Sequence, residues 1–169
     1  MKAFRVLRGP IVAVAAAAAL GLSGCTTADT AAVVNGTVIS EQDAQKAATQ
    51  IQQAQPDSTI TTPDAVAALI MATFINEVAD SVGKGLSESA ARAAIPNIEE
   101  PAPATLELVK SSLAWNQMTE DEHTKAIDLA SQADITINPR YGTFDPKQVK
   151  FEASSPNWIK PEPTTAPAG

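Results

Sequence analysis

"AAVVNGTVISEQDAQKAATQI", residues 31–51, changes its hydrophobic period halfway along, and that change decides how the chain is read. Val33-Val34 and Val38-Ile39 flank Asn35-Gly36. Two residues that tolerate positive φ, set between apolar β-formers, are the strongest short signal for a tight turn. The flanks are too short for an independent hairpin, so the reading is a small strand and turn that lead into a helix. From Ser40 onward the spacing becomes helical. Ser40 followed by Asp43 has the form of a capping box with a shorter acid, and Ala44, Ala47, Ala48 and Ile51 make a narrow apolar stripe. Pro56 stops this first helix.

Toward the C-terminus, helical signals repeat. Thr62-Pro63 reads as an N-cap with proline in the first turn. Beyond it Val66, Leu69, Ile70, Thr73, Phe74 and Val78 share one face, widened by Ala67, Met71 and Ile75. A helix apolar over most of its circumference is either central to the core or in contact with a partner. It ends near Gly83-Lys84-Gly85. Ser87 caps a short helix to about Ala94, and "IPNIEEPAPA" (95–104) carries three prolines and cannot remain helical.

Helix resumes near Ala104, with Leu106, Val109, Leu113 and Met118 on one side and Leu108 and Trp115 beside them. Thr119-Glu120-Asp121-Glu122 is a full capping box that opens a fifth helix with Ala126, Leu129, Ala130 and Ala133 facing inward. Ile135 and Ile137 then alternate with polar residues, a half-buried strand that Pro139 terminates. Lone strands leave backbone groups unpaired, so "VVNG" is expected to pair with "ITIN" and join the domain ends. The fold class is thus mainly α: about five helices with two short strands, near 32–39 and 134–138. Past Phe144 the chain reads as loop, and "KPEPTTAPAG" (160–169) has the composition of a disordered tail.

Toward the N-terminus, Lys2, Arg5 and Arg8 precede an apolar run from Ile11 to Leu22, the order of a secretory signal. Twelve helical residues rise about 18 Å against a hydrocarbon core of about 30 Å, too short for a permanent span. Leu22-Ser23-Gly24-Cys25 resembles the lipobox of bacterial lipoproteins and contains the single cysteine of the chain. The resemblance implies cleavage after Gly24, lipidation of Cys25 by diacylglyceryl and palmitate-type chains, and a membrane-anchored extracytoplasmic body. Domain boundaries follow as 1–24 signal, 25–31 tether, 32–146 helical domain and 147–169 extended or disordered tail. One thiol excludes an intramolecular disulfide.

Twelve bases and 19 acids give the chain a net charge of −7, and loss of the signal leaves about −10. Nucleic-acid binding is disfavoured, since neutralising phosphates requires clustered Lys and Arg. Aromatics make up only 4%, so the core is expected to be aliphatic and alanine-rich, with closely packed helices. Polar chemistry is sparse. The one histidine, His123, sits among polar neighbours in "TEDEHTK" and reads as solvated surface, and Glu120, Asp121 and Glu122 are explained by the helix dipole. No phosphate loop, nucleophile elbow or paired-cysteine motif appears. Neither an enzyme, a cofactor nor a metal site is expected.

"AAVVNGTVISEQDAQKAATQI" is similar to the opening of SurA N-terminal-like domains of the SurA/PrsA chaperone and foldase family, and "DITINPRYGTFDP" (134–146) to the closing segment of that domain in actinobacterial-type lipoproteins. The similarity spans residues 31–146. Complete members carry a parvulin domain, for which this chain has neither the room nor the histidines that such a domain uses, so no prolyl isomerase activity is expected. The resemblance implies a helical domain that binds unfolded or exported polypeptides through an apolar groove, with Met71, Phe74, Trp115 and Met118 as candidate contacts. The alternative is a lipoprotein scaffold for one envelope partner. Arg140 and Tyr141 read either as a polar and aromatic contact for a partner or, in the favoured structural reading, as a clamp on a helix carboxylate and a packed ring with its hydroxyl hydrogen-bonded; Trp158 reads as an anchor or an exposed contact.

Overall fold

Asn35 (φ 48°) and Gly36 (φ 83°) both adopt left-handed backbone. A two-residue turn of that kind matches the twist of antiparallel strands, and here it joins β1 (Thr30–Val34) to β2 (Thr37–Ser40) in a hairpin. The computed structural model describes residues 29–145, 148 and 150–154; Gly24, Cys25 and Trp158 lie outside them. The hairpin persists because β3 (Ile135–Ile137) adds to the free edge of β1, in the order β2-β1-β3. Both pairings are antiparallel, with Val33 opposite Val38 on one side and Thr136 on the other. Asn35 reinforces the junction: its N–H donates to the Asp134 carbonyl (2.8 Å), and its Oδ1 accepts from the Asp134 N–H (2.9 Å).

Five helices connect β2 to β3: α1 (Glu41–Ala54), α2 (Thr62–Ser81), α3 (Glu88–Ala94), α4 (Pro103–Trp115) and α5 (Glu120–Gln132). Ser40, Ser87 and Thr119 cap α1, α3 and α5. The cap of α2 is Thr61, one residue before the expected Thr62, because Asp64 at N3 returns a hydrogen bond to the Thr61 N–H (2.9 Å) and completes a reciprocal box. α4 has no side-chain cap of its own. Gln50 on α1 replaces it: its Oε1 accepts from the Ala102 N–H (2.8 Å) and the buried Thr105 hydroxyl (2.6 Å), while its Nε2 donates to the Glu100 carbonyl (3.0 Å).

α2 packs against α1, α4 and α5 and supplies the two largest fully buried side chains, Phe74 and Ile70, together with Val66 and Val78. Alanines fill the close contacts, with Ala44, Ala47, Ala91, Ala126 and Ala130 fully buried. Thr73, expected on the core face, is exposed.

The strand content exceeds expectation, with five strands in two small sheets among the described residues. β4 (Gly142–Asp145) and β5 (Lys150–Ala153) form a second hairpin, with Phe144 opposite Phe151. The β1–β3 pairing therefore does not mark the ends of the folded body, and residues 150–153, assigned above to an extended or disordered tail, are a strand. Each of these strands has one large apolar residue, too little alternation to stand out from a loop. Gly142 (φ 147°) is required here, since a Cβ would lie 2.2 Å from the Glu152 carbonyl oxygen. The tether also ends earlier than residue 31, because Thr30 and Ala31 belong to β1 and Ala31 is fully buried.

Candidate functional site

α2 presents two apolar stripes. Val66, Ile70, Phe74 and Val78, spaced four apart, face the core, while Ala68, Met71 and Ile75 are half-buried and line an open groove of about 540 Å³. The second wall is the C-terminal half of α4, through Leu108, Leu113 and Trp115. Ile51 of α1, Ile60 of the following loop and Ile95 after α3 complete the apolar lining. Gln55, Ser112 and Asn116 contribute polar groups, and no charged side chain lines the groove.

Helical phase and tertiary packing divide the four candidate contacts. Met71 and Trp115 line the groove. Phe74, 1% exposed, is packed into the core with Val66, Ile70 and Val78 and does not line the groove, although it is only three residues from Met71. Met118 is buried with Val78 and Ala126, because the turn after α4, in which the Met118 N–H donates to the Trp115 carbonyl (3.2 Å), carries it into the α2–α5 seam. Neither Phe74 nor Met118 is placed to touch a ligand in the groove.

His123 departs from its reading as solvated surface. It is half-buried, with its imidazole stacked on the Trp115 indole at 3.7 Å between centroids and 13° between planes, and its Nε2 lies 2.9 Å from the Trp115 carbonyl oxygen. The ring thus holds Trp115 in place at the groove wall. The residues are eight apart across a helix break, so no periodic signal in the sequence links them. Nearby, Glu122 joins the α5 N-terminus to the end of α2 by accepting from the Thr119 N–H (2.7 Å) and from Lys84 Nζ (2.6 Å). The Lys84 hydrogen bond foremost, then the Thr119 backbone, holds its carboxyl below the ordinary carboxylate range.

A second polar cluster lies at the sheet end. Arg140 Nη2 donates to Glu41 on the first residue of α1, as the clamp reading expected, and Gln45 donates to the same carboxylate (2.9 Å). Arg140 pulls the Glu41 pKa down, chiefly through that hydrogen bond. Tyr141 is buried, with the Arg140 guanidinium 5.2 Å from its ring centroid, and burial pushes its pKa up. Its hydroxyl faces Glu41, yet it makes no hydrogen bond of adequate distance and angle among the described residues. The expected hydrogen bond is absent there, while Arg140 and Gln45 both donate to Oε1 of that carboxylate. This cluster ties α1 to the strand corner and contributes no residue to the groove.

No titratable side chain lines the groove, and among the described residues no group of three His, Cys, Asp or Glu is placed to hold a metal ion. What the groove offers is an apolar surface with a few amide and hydroxyl hydrogen-bonding groups at its wall. Among the described residues no helix is long and apolar enough to cross a membrane. No family model matches the sequence, and no curated protein or solved structure is similar to it.

Proposed function

We propose that this chain is a lipid-anchored extracytoplasmic holding protein that takes apolar segments of unfolded or exported polypeptides into the α1–α2–α4 groove, without prolyl isomerisation. The observation that carries this reading is an uncharged, mainly apolar groove left open beside the core. Its volume lies within the range of about 300–1,000 Å³ typical of ligand sites. Met71 suits such a role because an unbranched thioether adapts to ligands of different shape, and Trp115 offers a large surface already immobilised by His123. Anchoring rests on the lipobox-like Leu22-Ser23-Gly24-Cys25.

Aggregation assays with several unrelated unfolded proteins test the holding activity. The chain is expected to suppress aggregation at near-stoichiometric ratios, and Ala68→Trp, which fills the groove, is expected to abolish suppression while leaving the circular dichroism spectrum unchanged. Absence of suppression overturns the reading, and capture of one envelope protein alone replaces it with a scaffold role. Cys25→Ser is expected to end incorporation of labelled palmitate and release the protein from membranes; continued labelling overturns the anchor.

A further inference from the structure

The occupant can be narrowed by charge. An anionic ligand such as a fatty acid needs a cation for its carboxylate, and burying that group unpaired is costly. The groove lining has no lysine or arginine. The chain segments that form the groove carry exposed carboxylates instead: Asp57 between the lining residues Gln55 and Ile60, Glu77 just after Ile75, and Glu99 and Glu100 after Ile95. The bases in these segments are Lys46, Arg92 and Lys110, fewer than the acids, and Lys110 is engaged by Glu107 at 2.7 Å. Acidic groups of one sign around a low-dielectric channel raise the local concentration of cations. Such attraction acts over about 8 Å at physiological ionic strength.

We propose that the groove selects cationic amphipathic segments: a short apolar run flanked by lysine or arginine. This rests on the groove being a polypeptide site. Ile51, Met71 and Ile75 receive the apolar run, the surrounding carboxylates attract the flanking cations, and Trp115 adds an indole surface favourable to a cation.

The test uses the full chain carrying Cys25→Ser and dansyl-labelled twelve-residue peptides with one shared Leu/Val/Phe core, flanked by two Lys, two Gln or two Glu at each end. Dodecanoate serves as an anionic, non-peptide competitor. The lysine-flanked peptide is expected to bind at least tenfold more tightly than the glutamate-flanked one, with the difference narrowing at least threefold at 500 mM salt. Asp57→Asn/Glu99→Gln/Glu100→Gln is expected to narrow it similarly at low salt, and Ala68→Trp to weaken all three peptides. Equal affinity of the three peptides, still lost in Ala68→Trp, overturns the charge selection and leaves the polypeptide groove standing. Absence of peptide binding, or dodecanoate displacing every peptide at lower concentration, overturns both.

Discussion

The two ends of this molecule are held by different forces. At the sheet end, β1, β2 and β3 exchange backbone hydrogen bonds, Asn35 doubles the contact to Asp134, and Arg140 joins the strand corner to Glu41. Directional bonds of this kind are satisfied in one arrangement and leave nothing open. At the groove end, α1, α2 and α4 meet through aliphatic side chains, and apolar contact is non-directional. There the packing stops short of closure. Polar exceptions include Asn76, whose Nδ2 donates from α2 to Glu107 Oε2 on α4 (2.8 Å), and Gln50 and Asn97, which fasten the proline-rich loop and α4 to α1, Asn97 Nδ2 donating to the Gln53 carbonyl (2.8 Å). A closed end sets position, and an open apolar end retains surface for a visitor.

Substitutions separate these roles. Phe74→Ala opens a cavity in the core between both ends and is expected to lower unfolding free energy by about 3–5 kcal/mol in denaturant titrations. Gln50→Ala removes three hydrogen bonds and leaves the buried Thr105 hydroxyl unpaired. About 1–3 kcal/mol is expected, with faster amide exchange at the start of α4. Asn35→Ala loses a side-chain acceptor and a residue suited to positive φ, so about 1–2 kcal/mol is expected, with exchange accelerating in β1 and β3 rather than in the helices. Met71→Ala is expected to change stability by only about 1 kcal/mol, since the side chain is half-buried, while weakening peptide binding by about tenfold.

The smallest effect separates the ends by pH. Glu41 at the sheet end and Glu122 between α2 and α5 are both held below the ordinary carboxylate value of 4.5. A carboxylate with a depressed folded pKa adds stability above its unfolded pKa, and that contribution disappears as pH falls through the folded value. Melting temperature is therefore expected to fall below about pH 4.5, and Glu41→Gln and Glu122→Gln each to flatten that fall. Glu41→Gln should alter protection in β3 and β4, and Glu122→Gln should alter it at the α2–α5 contact.

Local chemistry made much of the fold legible. The Asn35-Gly36 turn and the caps at Ser40, Ser87 and Thr119 each involve residues within a few positions of one another, so their spacing states the geometry directly. Thr61 was missed for Thr62 because Pro63 fits either register, and only the bond from Asp64 distinguishes them. β4 and β5 were missed because one phenylalanine per strand carries no period. In the site, helical phase was not enough to sort Met71 from Phe74 on a helix apolar nearly all round.

What the sequence determined by itself is therefore the set of helices, the caps at Ser40, Ser87 and Thr119, the tight turn and the acidic, aromatic-poor character of the chain. Tertiary structure alone decided that Gln50 would cap α4, that His123 would stack on Trp115, and that α1, α2 and α4 would leave a groove instead of sealing it. The reason is physical: caps and turns are bonds between near neighbours, whereas a groove is the space left where side chains from distant segments fail to meet.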